Sequence, residues 1–380
     1  MYRFLFHRCR TSYIYNRVEI QYAFTTTKSL YHNYVDFIRE IIQNMGILQP
    51  TSNEIMKDID LTNKTCLITG ANSGIGQEMT RCLSSKNCTV IMACRNTYAA
   101  DIVARTVCKR TDRLKVYEIN LSSLSSVKKC SDEILRDIPK LDIVILNAAV
   151  FGLPWTLTED SFETTFQVNY LSHAYLLMNI EKILAPDARV IIVSSDSHRH
   201  VNWPFFHKLS PTKEMVSLPK HEYTSIKAYN ISKLCGIFFM HYLGYRWLNT
   251  GKLVFCANPG TFVKTRLCTN WWPYETLYNI MKPFSKTISQ AASTPLYCAV
   301  APELNGMTDQ YYKNLQRCDE SELAQDLHLS FRFYDLTREL LLEQAISRDS
   351  VTVLEEKAEE YPQQAKETID DSTLVANYSG

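Results

Sequence analysis

Three things are missing from this chain of 380 residues. No stretch approaches the roughly 18 uninterrupted apolar residues of a membrane span. The richest, Leu234 to Leu243, is short and holds His241, so no transmembrane segment is expected. None of the twelve cysteines are spaced as Cys-x-x-Cys, so neither a disulfide framework nor a metal site is expected. Several (Cys66, Cys88, Cys94, Cys256) sit inside apolar strand runs. They read as small buried hydrophobes in a reducing, cytoplasmic compartment. Nor is there an excess of either charge: the formal net charge is +1. That gives no global field to draw in nucleic acid or an anionic membrane surface.

What is present is an ordinary globular composition, 46% hydrophobic and 21% charged, with room for one large α/β domain plus extensions. From about residue 60, short β-branched strands (65–69, 88–94, 114–119, 142–147, 189–195 and 252–257) alternate with helical stretches (74–86, 97–110, 123–137, 160–184 and 224–249). That alternation predicts a single Rossmann-type, doubly wound parallel sheet with helices on both faces. Ligands of such sheets bind beyond the carboxyl ends of the strands. A further helix is expected over 322–344, closing a domain of residues 58–344. Residues 1–57 read as an extension. Its first 35 residues hold five Lys/Arg and one acid, Glu19, which fits either a mitochondrial presequence or a disordered segment. Residues 345–380, with eight Asp/Glu against three Lys/Arg, read as a disordered acidic tail.

The densest signal is Thr69-Gly70-Ala71-Asn72-Ser73-Gly74-Ile75-Gly76. It leaves an apolar strand and enters a helix, so a pyrophosphate can approach glycine backbone at a helix N-terminus. About 20 residues on, a carboxylate would hold an NAD ribose. The second strand instead ends in Cys94-Arg95-Asn96, and a guanidinium at Arg95 suits a 2′-phosphate. NADP is therefore expected in preference to NAD. Asn120-Leu121 after the third strand falls where adenine would be contacted. Asn147-Ala148-Ala149 after the fourth either lets backbone approach a cofactor or only permits close helix–sheet packing. Pro259-Gly260 after the sixth, with Thr265, falls where nicotinamide would lie.

Tyr229 and Lys233, four apart, share one helix face. Hydride transfer to a carbonyl leaves an alkoxide that needs a proton. A phenol titrating near pKa ~10 can supply it when an ammonium stabilises the phenolate. Ser195, ending the fifth strand, is the favoured partner for the substrate oxygen, with Ser194 the competitor. Asn169 sits mid-helix against its propensity, which suggests a water relay to Lys233. His198-Arg199-His200 lacks companion ligands. Trp271-Trp272-Pro273-Tyr274 forms a cluster that is either a lid over an apolar substrate or core. The 33 residues between Ser195 and Tyr229 should pack beside the site.

With TGxxxGIG on Thr69 to Gly76, then Asn169, Ser195, Tyr229 and Lys233, residues 60–320 resemble the short-chain dehydrogenase/reductase family. Stretches such as Phe162-Glu163-Thr164-Thr165-Phe166 and Leu209-Ser210-Pro211 are most similar to its branch bearing WW modules. Retinol dehydrogenase-like enzymes come next. The resemblance implies an oxidoreductase acting on an apolar alcohol or carbonyl, retinoid- or steroid-like. It also implies homodimerisation through the helices at 160–184 and 224–249. The WW-bearing branch is linked to growth suppression and apoptosis, which keeps open a cofactor-bound signalling protein with little turnover. A membrane-associated lipid enzyme using the Trp271–Tyr274 cluster and the basic N-terminus is a third reading. A WW module needs two spaced tryptophans, and the first Trp here is Trp155, so Pro-Pro-x-Tyr partners are not expected. Asn120 and Asn258 depart from the family, where Asp and His are usual.

Overall fold

The computed structural model describes residues 49–108, 111–204, 206–260, 263 and 285–347. The basic N-terminus, the tail from 348, Thr265 and the Trp271–Tyr274 cluster lie outside the described residues.

The strands are β1 (Thr65–Thr69), β2 (Thr89–Cys94), β3 (Leu114–Glu118), β4 (Leu141–Leu146), β5 (Leu184–Val193) and β6 (Leu253–Asn258), followed by β7 (Gln310–Lys313) and β8 (Gln316–Arg317). They form one sheet in the order β3-β2-β1-β4-β5-β6-β7-β8. Every pair is parallel except β7 with β8. The central strands β1 and β4 are buried almost throughout, which is why they read as continuous apolar runs rather than alternating ones. Chain order reverses between β1 and β4, and the crevice at such a switch point is where ligands bind.

Long helices cover both faces: α2 (Gly74–Ser85), α3 (Thr97–Val107), α4 (Leu124–Asp137), α7 (Ser225–Arg246), α8 (Ile288–Val300) and α9 (Leu327–Ser347). One core lies beneath α4, α7 and α9, and the other beneath α2, α3 and α8. The sequence pattern places the first six strands, and the helices between them apart from the 160–184 stretch, with shifted ends. It misses α8 and the β7–β8 hairpin. Residues 322–326 precede α9 rather than belonging to it. A short helix, α1 (Ser52–Ile55), also belongs to the packed body. The Ser52 hydroxyl donates to Glu78 at 2.5 Å and lies 2.7 Å from Ser289 Oγ. Residues 52–57 therefore join the folded unit rather than an extension.

The stretch expected as one helix over 160–184 is composite. Glu163 caps its start, accepting from the Thr165 and Phe166 amides. Then come Thr164–Phe166, a π-turn Gln167–Leu171 and Ser172–Ile180, together α5. π-turns concentrate at functional sites, and this one carries Asn169.

α7 has no continuous polar face and is buried nearly all round from Ala228 to Gly244. α9 supplies part of the cover. Leu329, Phe333, Leu336 and Leu340 make a buried stripe at i, i+4, i+7 and i+11, and Phe333 packs on Phe238 and Tyr170. α7, one of the two helices through which the family resemblance implies dimerisation, thus packs against α9 of its own chain. The intervening α6 (Lys213–Val216) lies in the long connection before α7. Among the described residues, no helix is long and apolar enough to cross a membrane. The described cysteines are free thiols, all buried but Cys318. Burial pushes such thiols up, Cys88 to about 12.

Candidate active site

The Gly-rich turn is shaped by contacts a side chain would break. Gly70 has φ +66°, and a Cβ there would lie 3.1 Å from Ala148. A Cβ on Gly76 would overlap the Gly70 carbonyl and approach Asn147 Nδ2 at 2.8 Å. Ser73 is the N-cap of α2 but makes no side-chain capping bond, so it does not occupy that helix's leading N–H groups. Gly70, Asn72, Ser73, Gly74, Ile75 and Gly76 therefore form a cradle that fits a phosphate. Asn147 and Ala148, from the end of β4, close its floor. The Asn147 carboxamide donates to the Thr69 carbonyl at 2.9 Å.

Thr69 carries a proton argument. Its hydroxyl accepts from the Asn147 and Ala148 amides at 2.9 and 3.0 Å. Its own proton is then left for His173 Nε2 at 2.9 Å. That makes Nε2 the acceptor, and Nδ1 donates to the Asn169 carbonyl at 3.2 Å. The imidazole is neutral, and burial pushes its pKa down to about 4. His173 is a residue that sequence reasoning missed. Its only linear signal was a histidine one turn after Asn169, which reads equally well as core.

Asn169 does not reach Lys233 directly. Its carboxamide is paired with Val150, accepting from that amide at 2.7 Å and donating to that carbonyl at 3.0 Å. It also donates to the Ser232 hydroxyl at 3.0 Å. Ser232 in turn donates to the Tyr229 carbonyl at 2.8 Å. Asn169 thus joins the loop after β4 to the turn of α7 that bears Tyr229.

Lys233 is buried, and its ammonium donates to the Val193 carbonyl at 2.9 Å. It lies 5.4 Å from the Tyr229 ring centroid. Burial pushes its pKa down to about 8. Phe151 meets the Tyr229 ring edge-on at 5.0 Å and gives the tyrosine an apolar neighbour. Val193 ends β5, two residues before Ser195. The Ser195 hydroxyl is half-buried and exchanges bonds with Ser197. Ser194 is 3% exposed and its hydroxyl is buried without a partner. Ser195 is the accessible one of the two.

The loop after Ser195 is pinned from far away. Ser321 N–H donates to His198 Nε2 at 3.1 Å, so Nδ1 carries the proton and donates to the Ser195 carbonyl at 2.8 Å. His198 is a brace, with both ring nitrogens engaged. Among the described residues no three metal-ligating side chains gather. Asp196 is ion-paired with Lys313 at 2.8 Å and accepts from Tyr311 at 3.1 Å. The 196–224 segment packs on the loop before α5, with Trp155 donating to the Leu218 carbonyl and Tyr223 to the Leu153 carbonyl.

The remaining predicted positions are less uniform. Arg95 is exposed at the end of β2. Asn96 Oδ1 is committed to capping α3 through the Ala99 amide. Asn120 Oδ1 accepts from Ser122 within its own turn. Leu121 turns its side chain into the core rather than the crevice. Ala149 is half-buried in the loop after β4. Pro259 and Gly260 follow β6, whose last residue, Asn258, accepts from the Gly260 amide.

A parallel sheet with a phosphate cradle at its switch point, and a Tyr/Lys pair on the neighbouring helix, defines a nucleotide-dependent oxidoreductase. The family model for short chain dehydrogenase matches residues 64–217, and the chain belongs to that family, whose members use nicotinamide dinucleotides. It is 39% identical over 301 residues to the WW domain-containing oxidoreductase of Drosophila melanogaster, covering 77% of this chain and 72% of that protein. It is 32% identical over 289 residues to retinol dehydrogenase 12 of Mus musculus, covering 75% and 88%. Among solved structures, a short chain dehydrogenase from Shigella flexneri 2a str. 301 complexed with NADP superposes with a TM-score of 0.53 at 19% identity, over 67% of this chain and 98% of that one. This chain is an NAD(P)-dependent oxidoreductase.

Proposed function

We propose that the protein is NADP(H)-dependent and moves hydride between nicotinamide and an apolar alcohol or carbonyl of retinoid or steroid type. The observation that carries this is the placement of Lys233, whose ammonium lies between the end of β5 and the Tyr229 ring. In reduction, the Tyr229 phenol gives its proton to the substrate oxygen; in oxidation, it takes that proton back. Lys233 stabilises the phenolate between the two events. Ser195 holds the substrate oxygen beside the phenol, and Asn169 fixes the α7 turn that carries it. The bound dinucleotide supplies the hydride.

Gly70, Asn72, Ser73, Gly74, Ile75 and Gly76 hold its pyrophosphate. Arg95, with Asn96 beside it, takes the 2′-phosphate. Asn120 and the Leu121 backbone border the adenine. Asn147, Ala148, Ala149, Tyr229, Lys233, Pro259 and Gly260 border the nicotinamide half, with Thr265 assigned there on sequence alone. An apolar substrate is supported by Phe151 against Tyr229 and by the likeness to an enzyme named retinol dehydrogenase.

The test is consumption of NADPH and of NADH, followed by absorbance, against retinaldehydes, steroid ketones and aliphatic aldehydes. Tyr229→Phe is expected to lower turnover at least about a hundredfold, the scale of lost general acid catalysis. Unchanged turnover in that variant would remove Tyr229 from the mechanism.

A further inference from the structure

Lys286 stands where a lysine is hard to keep. It is 2% exposed. It directly precedes Thr287, the N-cap of α8. Burial first, and then the neighbouring Lys313, push its pKa down to about 8, while Asp196 acts in the opposite sense. A buried cation is tolerated when its donors are used. Here two of the three are: Nζ donates to the Pro259 carbonyl at 3.2 Å and to Asn314 Oδ1 at 2.5 Å.

The stem of Lys286 lies across Gly260. A Cβ built there would sit 2.6 Å from Nζ, 2.8 Å from Cε and 3.0 Å from Cδ. The glycine, at φ +98°, is therefore needed both for its backbone angle and to let the lysine pass. Asn314 and Leu315, both at positive φ, make the two-residue turn between β7 and β8. One ammonium thus binds three segments: the turn after β6, the β7–β8 turn and the approach to α8. The same hairpin sends Lys313 to Asp196, beside Ser195.

We propose that Lys286 is a positioning residue that holds the Pro259–Gly260 turn in place against the nicotinamide half of the cofactor site. This rests on the reading of that turn as bordering nicotinamide. Lys286 acts through the Pro259 carbonyl and is given no contact with substrate or cofactor.

The test uses the full chain and compares two ligands by quenching of intrinsic fluorescence. One is NADPH; the other is 2′-phosphoadenosine 5′-diphosphoribose, which lacks only the nicotinamide. Lys286→Met keeps the stem and removes the charge. It is expected to weaken NADPH about tenfold while leaving the truncated ligand within about twofold. Asn314→Gly, which keeps the turn and removes the second anchor, should shift the same ratio by a smaller factor. It also serves if Lys286→Met does not fold. Thr287→Ala loses the α8 cap and controls for loss of stability alone; its ratio of the two affinities should stay at the wild-type value. Equal weakening of both ligands in Lys286→Met, or unchanged binding of both, overturns the inference. If the wild-type chain binds neither ligand, the cofactor reading itself fails and takes this inference with it.

Discussion

The Asn169 carboxamide donates to the Ser232 hydroxyl at 3.0 Å across 63 residues of sequence. One side chain from the π-turn thereby fixes both the loop after β4, through Val150, and the α7 turn that carries Tyr229. Asn169→Ala removes three hydrogen bonds and strands their partners. We expect a loss of about 3 kcal/mol in urea unfolding, together with reduced turnover. Ser232→Ala removes fewer and should cost about 1 kcal/mol. Equal losses would mean that the Val150 contacts contribute no more than the bond from Ser232 to the Tyr229 carbonyl.

His173 and His198 are both neutral, and burial holds each near pKa 4 against an ordinary value of 6.5. Between those values the unfolded chain binds more protons than the folded one. Their contribution to stability is therefore complete above about pH 6.5 and is lost as pH falls toward 4. Urea unfolding across that window should show stability falling with acidity. His173→Gln should flatten the slope, whatever it does to stability at neutral pH. An unchanged slope would place the acid sensitivity elsewhere.

Arg95 is the proposed selector of the phosphorylated cofactor. Charge-assisted bonds of ~1.5–3 kcal/mol correspond to roughly 10- to 150-fold in affinity. Arg95→Gln should weaken NADPH by a factor in that range and leave NADH within about twofold, read by titration of both. Parallel loss for the two cofactors would refute the selection.

Phe333 anchors α9 on α7, 1% exposed between Tyr170 and Phe238. Phe333→Ala should cost about 3–5 kcal/mol by calorimetry or urea unfolding. If α9 is a replaceable cover, the same variant should also begin to self-associate in sedimentation, because the α7 face would be exposed. A stable monomer with native unfolding energy would count against both expectations.

Much of this was legible in the chain because it is local. The strand–glycine–helix passage at Thr69–Gly76 and the four-residue spacing of Tyr229 and Lys233 need no partner to be read. The β7–β8 hairpin was not legible: its strands are short, and Leu315 at positive φ is an unfavoured turn residue. α8 was hidden by Ser293, Thr294 and Pro295 within its span. The braces were illegible for a different reason. His173 meets Thr69 across 104 residues, and His198 meets Ser321 across 123. No periodicity reports a contact that only the closed sheet creates.

The π-turn at Gln167–Leu171 sets the rotational phase of everything after it in α5. Each residue advances an α-helix by about 100°, so a chain one residue shorter there would make the more regular helix. It would also swing His173 away from Thr69, and the floor of the phosphate cradle would lose its proton acceptor. The least regular turn of the helix is thus what brings its second half into register with β1.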